Sequence, residues 1–311
     1  MKTISIVIPL YNEEESLREL YTKIIAALPK VPVSAYEIIF INDGSTDGSG
    51  RVIRELAAKD KNVKGVLFRK NYGKAAALAA GFKAARMDYV VTMDADLQDD
   101  PEEIPGLIAE LDKGFDLISG WKKKRYDPIL SKNIPSRLFN GVTSLVSGIR
   151  LHDFNCGLKA YRLAAAKSLV FYGEMHRYLP VLAHWNGFKV GEKTVTHHPR
   201  KFAVTKYGLS RFINGFLDLL TITFLRRYTK NPMHLFGLLG VIFMAVGFGI
   251  TSYFGVIWII ERALHLRPLM LLAVGAFLMG IQLFSIGLIG EMITHTGRRD
   301  EYLVEEEINL K

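Results

Sequence analysis

The chain has 311 residues, of which 40 are Lys or Arg, 31 Asp or Glu and 8 His, giving a formal net charge of +9. Almost half of the residues are apolar and only 11 are proline, which excludes disordered and collagen-like chains; the lone Cys156 excludes an intramolecular disulfide and a cysteine-based zinc site. Charge is unevenly spread: residues 233–311 carry 5 basic and 7 acidic side chains, leaving a surplus of 11 positive charges on the first 232, as expected of a body that meets an anionic partner.

In chain order, Met1-Lys2-Thr3 leads into an apolar run that breaks at Pro9 and reaches Glu13-Glu14-Glu15, unlike a secretory signal. Over residues 1–120, apolar runs alternate with helical stretches. Ile4–Leu10, Ile38–Ile41, Val63–Phe68, Tyr89–Met93 and Leu117–Ser119 read as strands. Helices are expected from Glu14 to Leu28, after Ser45, from near Gly73 and from Pro101 to Leu111. Such alternation predicts an α/β fold with a mainly parallel sheet covered on both faces, binding ligands beyond the carboxyl ends of its strands.

Two basic stretches follow, Lys122 to Arg137 with 6 basic residues and one acid, and Lys193 to Lys230 with 8 and one. Either could draw the body towards anionic lipid. Leu209, Phe212, Ile213, Phe216, Leu219 and Leu220 repeat at helical spacing opposite Arg211, Asn214 and Asp218, the pattern of a helix lying on a membrane surface or against a core. Asn133 to Ile149 is a weaker example.

From Leu235 to Ile260 there are 26 residues without a formal charge, and from Pro268 to Gly290 there are 23. As helices they would be about 39 and 34 Å long, against a hydrocarbon core of about 30 Å. A transmembrane hairpin is expected. Arg226, Arg227 and Lys230 precede it and Arg298 and Arg299 follow it, whereas its loop offers only Arg262 and Arg267. The positive-inside bias therefore places both termini, and the body, in the cytoplasm, anchored to the inner membrane. Glycines in both spans permit close packing of helices and a homo-oligomer.

The strand tips hold the candidate chemistry. They read Pro9-Leu10-Tyr11-Asn12-Glu13, Asn42-Asp43-Gly44-Ser45 and Asp94-Ala95-Asp96-Leu97-Gln98, an acidic cleft in a basic protein. Facing carboxylates raise one another's pKa unless a cation neutralises them, and a hard divalent ion on Asp94, Asp96 and Gln98 resolves this. In extended backbone those three positions point the same way. Asp43 equally fits a turn or N-cap, and Ser45 and Asp47 read as caps. No G-x-G-x-x-G or P-loop is present, and His197-His198 reads as a polar strand end rather than a metal pair.

Together the motifs resemble glycosyltransferase family 2, with its GT-A fold. Ser5-Ile6-Val7-Ile8-Pro9-Leu10-Tyr11-Asn12-Glu13-Glu14, Asn42-Asp43-Gly44-Ser45-Thr46-Asp47, Asp94-Ala95-Asp96-Leu97-Gln98-Asp99 and Asp153-Phe154-Asn155-Cys156-Gly157-Leu158-Lys159 carry the likeness. A GT-A body followed by interfacial helices and two spans is similar to the polyprenyl-phosphate glycosyltransferases, bactoprenol glucosyltransferases and dolichyl-phosphate mannose synthases among them. The resemblance implies a GT-A body at 1–206, interfacial helices at 207–232, a hairpin at 233–296 and a cytoplasmic tail at 297–311. It implies that Pro9, Tyr11, Glu13, Asp43, Lys74, Asp94, Arg200, Lys206 and Tyr207 bind the nucleotide sugar, and that Asp94, Asp96 and Gln98 hold Mg²⁺ or Mn²⁺. Asp96 and Asp153 would be catalytic. Where the family often has Gly-x-Arg, this chain has Gly120-Trp121-Lys122, leaving Lys122 or Arg125, with Arg137 further along, for the acceptor phosphate. The implied reaction is metal-dependent, inverting transfer of a hexose, foremost glucose from UDP-glucose, to undecaprenyl phosphate. Other donors (a UDP-N-acetylhexosamine, or GDP-mannose with dolichyl phosphate) and a non-catalytic sugar-nucleotide binder are the alternatives. A processive synthase lacks its Gln-x-x-Arg-Trp here, and nothing marks a nucleic-acid site.

Overall fold

The computed structural model describes residues 2–123, 140–141, 143–144, 147–171, 173, 175–199, 232–261, 268–295 and 304–309. The expected surface helix at 209–220, Arg125, Arg137, Arg200, Lys206, Tyr207 and the hairpin loop lie outside them. Contacts divide the chain into two units, Met1–Asp218 with Glu301–Lys311, and Leu219–Asp300.

The first unit is built on β1 (Lys2–Leu10), α1 (Glu14–Ala27), β2 (Val33–Asn42), α2 (Ser49–Lys59), β3 (Val63–Phe68), α3 (Lys74–Ala84), β4 (Tyr89–Thr92), α4 (Ile104–Asp112) and β5 (Leu117–Trp121). Then come β6 (Lys159–Arg162), α5 (Leu163–Ser168), α6 (Leu179–Trp185) and β7 (Val190–Thr194). After the second unit, β8 (Val304–Ile308) returns to the same sheet. Strand order is β7-β5-β6-β4-β1-β2-β3-β8. Central β1 runs parallel to β2 (Ile6 beside Ile38) and to β4 (Ile6 beside Val91), and β2 runs parallel to β3. Only β6 and β8 run against their neighbours.

Burial on both faces explains why β1 is apolar from Ile4 to Leu10 apart from Ser5: every residue of that run is buried. Each fully buried Ile or Leu there adds about 1.5–3 kcal/mol. Helix α1 sets Leu17, Leu20 and Ile24 against one face, joined by Val52, Ile53 and Leu56 of α2. Helix α3 is rich in alanine because it lies close to the sheet; a Cβ on Gly81 would sit 2.2 Å from Val7 Cγ1. Buried Glu37 accepts hydrogen bonds from Ser5 Oγ (2.5 Å), Lys64 Nζ (2.6 Å) and Arg86 N (3.0 Å), so its charge is fully partnered.

The five expected strands are all present. Strands β6, β7 and β8 are additional, and the segment expected as a tail ends in β8, with Ile308 packed on the core beside Gly65. Asn309 follows β8 and donates to Ala57 O and Val63 O.

The second unit pairs α7 (Pro232–Glu261) with α8 (Pro268–His295). Their backbones meet where glycines leave room: a Cβ on Gly240 would lie 2.8 Å from Gly280 O, and one on Gly247 2.6 Å from Ala273 O. Met233–Ile260 and Pro268–Gly290 are long and apolar enough to cross a membrane, and only 17% and 11% of their most apolar windows are buried. A soluble core helix would be covered on most sides; these expose Leu238, Phe248, Trp258, Leu272 and Ile289.

Candidate functional site

Three loops at the carboxyl ends of β1, β2 and β3 are tied together before any ligand is considered. Asn12, in the left-handed region (φ 57), donates through its N–H to Ser45 Oγ and accepts at Oδ1 from Thr46 N. Asp47 accepts from Glu14 N and Ser49 N, so it caps α1 and α2 together. Gly44 (φ 67) lets the β2 loop touch the β3 loop, since a Cβ there would fall 2.2 Å from the carbonyl carbon of Lys70.

Asp43 uses the contact so made. Its Oδ1 accepts from Tyr72 N at 2.7 Å and its Oδ2 from Gly73 N at 2.9 Å. Burial pushes its carboxyl pKa up, and those two N–H groups only partly offset this. Asp43 is therefore neither a simple turn residue nor a helix cap: it fixes the loop that starts α3. Gly73 (φ 93) supplies the turn, and Lys74 is the first helical residue.

Lys74 reaches the next strand tip, where its Nζ lies 2.5 Å from Asp94 Oδ1. Burial pushes the Asp94 carboxyl up, but Lys74 and Lys122 outweigh it and hold the pKa down at about 2. Asp94 N donates to Asp99 Oδ2, and buried Asp99 pairs with Lys122 at 2.9 Å. On its other side Asp94 faces Gly157, where a Cβ would meet the carboxylate at 2.6–2.8 Å. Pro9, Lys74, Asp94, Asn155, Lys159 and His176 line one pocket. The sites expected from sequence at Asp43, Lys74 and Asp94 are thus joined by a continuous set of contacts.

Two expectations change. Residues 94–98 are not extended: the backbone turns at Ala95-Asp96, and Leu97 is left-handed (φ 62). Asp94, Asp96 and Gln98 are half-buried while Ala95, Leu97 and Asp99 are buried, with Gln98 N donating to Asp96 Oδ1. Lys122, expected at the acceptor phosphate, is instead only 13% exposed and braces this turn through Asp99. Among the expected donor residues, Tyr11 is exposed and Glu13 sits at the N-cap of α1.

Asp153 is buried, its Oδ1 accepting from Asn155 N and its carbonyl from Ser119 Oγ, so it sits in an Asx turn rather than capping a helix. His198 N donates to Gln98 O and its ring pairs with Asp100, which agrees with a structural role for that histidine pair. Sequence reasoning missed Asp99, His176 and the weight carried by Lys159. Lys159 is buried, donates to Cys156 O, and has its pKa lowered by burial. A lysine inside the apolar run Gly-Leu-Lys-Ala-Tyr was the available signal. Burial likewise lowers the His176 pKa, favouring the neutral ring.

A divalent ion fits the donor set. Asp94 is held ionised and Asp96 offers a second half-buried carboxylate. Among the described residues no three acidic, His or Cys side chains form a complete cage.

The chain is similar to several known proteins. Residues 5–170 match the model of glycosyl transferase family 2. A dodecaprenyl-phosphate galacturonate synthase of Rhizobium johnstonii is 37% identical over 96% of this chain and 89% of its own. An undecaprenyl-phosphate 4-deoxy-4-formamido-L-arabinose transferase of Aeromonas hydrophila is 34% identical over 98% and 94%. Among solved structures, glucosyl-3-phosphoglycerate synthase from Mycobacterium tuberculosis, in complex with Mn²⁺, UDP and phosphoglyceric acid, superimposes with a TM-score of 0.56 at 19% identity, covering 72% of this chain and 78% of that one.

Proposed function

Because this chain belongs to glycosyl transferase family 2, we propose that it transfers a sugar from a nucleoside diphosphate to a polyprenyl phosphate in the membrane, with inversion at the anomeric carbon. The observation that carries the proposal is the joined set Asp43, Lys74 and Asp94 at the strand tips, in a chain that also holds two exposed apolar helices. The two curated relatives named above differ in the sugar and share a polyprenyl phosphate. The lipid is therefore the constant part of the reaction and the sugar the variable one.

Negative charge grows on the departing diphosphate, and stabilising it is the main catalytic task. Bound to Asp94 and Asp96, with Gln98 beside them, Mg²⁺ or Mn²⁺ would supply Lewis-acid charge to that group. Lys74 stands at the N-terminus of α3, whose N–H groups favour an anion. In this reading Pro9, Tyr11, Glu13 and Asp43 hold the base and ribose, and Arg200, Lys206 and Tyr207 contact the donor. A phosphate monoester has a second pKa of about 6, so near neutral pH it is largely dianionic and needs no general base. Asp153 accordingly orients the acceptor rather than taking a proton. Lys122 being engaged, Arg125 and Arg137 receive the acceptor phosphate.

The sheet supports the topology. β8 lies after both apolar helices yet pairs with β3, which is compatible with an even number of bilayer crossings. Two crossings, with the body on the Arg-rich cytoplasmic side of the inner membrane, meet this condition.

The test is a transfer assay with purified full-length protein, undecaprenyl phosphate and radiolabelled UDP-glucose, UDP-galacturonate, a UDP-formamido-arabinose, a UDP-N-acetylhexosamine and GDP-mannose. UDP-glucose is the sequence-based expectation for the donor. Glycolipid formed with one of them, and lost with a chelator, is the expected result. Binding of sugar nucleotide without any glycolipid from any donor would refute the enzymatic reading.

A further inference from the structure

The contact between Lys74 and Asp94 has a consequence for the order of binding. Their 2.5 Å pair involves Asp94 Oδ1, one of the two oxygens a cation would approach. Gly157 packs against the same carboxylate, and Asp94 N is fixed by Asp99, so Asp94 has little room to turn away. Lys74 is itself held at the start of α3, because Asp43 fastens the two residues before it. A lysine at a helix N-terminus faces the positive end of the helix dipole, so this placement is unfavourable without a nearby anion. Here Asp94 is that anion. A nucleoside diphosphate, arriving at the same helix end, offers another.

We propose that Lys74 is a positioning residue that alternates between two anions, occupying Asp94 until a nucleoside diphosphate takes it, and so makes divalent-ion binding at Asp94 depend on the nucleotide. Metal alone must compete with an ammonium for one carboxylate oxygen. Nucleotide relieves that competition by accepting the ammonium on its phosphates. By linkage, each ligand then raises the other's affinity by the same factor. The proposal rests on the metal assignment made above for Asp94, and the experiment separates the two.

Mn²⁺ binding to full-length protein is followed by the electron paramagnetic resonance signal of the free ion, with and without UDP, after subtracting Mn²⁺ held by UDP in solution. In the natural protein UDP is expected to tighten Mn²⁺ about tenfold, within the usual range for coupled sites. Lys74→Met is expected to bind Mn²⁺ alone about tenfold more tightly, to bind UDP more weakly, and to lose most of the coupling. Lys74→Arg should keep it. A lysine with a merely structural role would not tighten the metal site when removed. Unchanged or weaker Mn²⁺ binding in a folded Lys74→Met protein overturns the proposal while leaving the metal assignment standing. Absence of Mn²⁺ binding in every condition overturns both. Should Lys74→Met fail to fold, the natural protein decides: a Mn²⁺ affinity indifferent to UDP refutes the interlock.

Discussion

Gly157→Ala isolates the geometry of Asp94 from its chemistry. The added methyl would lie 2.6 Å from Asp94 Oδ2, 2.7 Å from Cγ and 2.8 Å from Oδ1, so it meets the whole carboxylate rather than one edge. Ordinary contact begins near 3.4 Å, so the carboxylate or the 153–158 segment must yield by 0.6–0.8 Å. Asp94 resists, being held by Lys74 at 2.5 Å and by Asp99 through its own N–H. The φ of Gly157 is not positive, so alanine brings no backbone strain of that kind. Overpacking of this size costs about 1–3 kcal/mol of stability, whereas a misplacement of about 1 Å at a reacting centre costs about 100-fold in rate. The expected outcome is a fall of about 30- to 100-fold in kcat/KM for sugar transfer, with a modest drop in thermal midpoint. Gly249→Ala, where a Cβ meets nothing within 4 Å, is the matched control and should change neither. Activity of Gly157→Ala within threefold of the natural protein would show that the position of Asp94 is not critical, and the reasoning about the site would fall with it.

Three further outcomes are expected. Asp153→Asn should retain more activity than Asp96→Asn, because the amide keeps an oxygen for Asn155 N and the acceptor phosphate is already ionised; equal losses in folded proteins would reverse that assignment. The Asp94 pKa is held at about 2, below the usual carboxylate value of about 3.9, so the unfolded state binds more protons in between and the pair's stabilisation is full above pH of about 4 and lost as pH falls towards 2. Thermal midpoints of the natural protein and Asp94→Asn should therefore converge over that interval, and a constant gap would contradict it. Burial pushes the Cys156 thiol up to about 12, so the folded protein should resist a maleimide or iodoacetamide at pH 8 and label only on unfolding; rapid labelling when folded would show the site more open than described.

Much of this protein was legible in its chain order. Continuous apolar runs such as Ile4–Leu10 can only be satisfied by burial on both faces, so they announce a covered parallel sheet, and runs of 26 and 23 uncharged residues announce the hairpin. These are properties of local composition, and local composition is what a sequence displays. Strand-end placement likewise singled out Asp43 and Asp94 as candidates before any contact was known.

What only the tertiary structure decided is which charge meets which. Lys122 reads as a free cation in a basic run, but the end of β5 brings it under the turn after β4, where Asp99 claims it. Gly157 packs against Asp94, which is 63 residues away in sequence yet within one methyl's breadth in space. The acidic strand β8 carries no alternating apolar pattern, and its place beside β3 follows from main-chain pairing and from Ile308 finding the core. Pairings of this kind depend on distance and burial after the sheet has closed, and side-chain charge acts over a few ångströms whatever the separation along the chain.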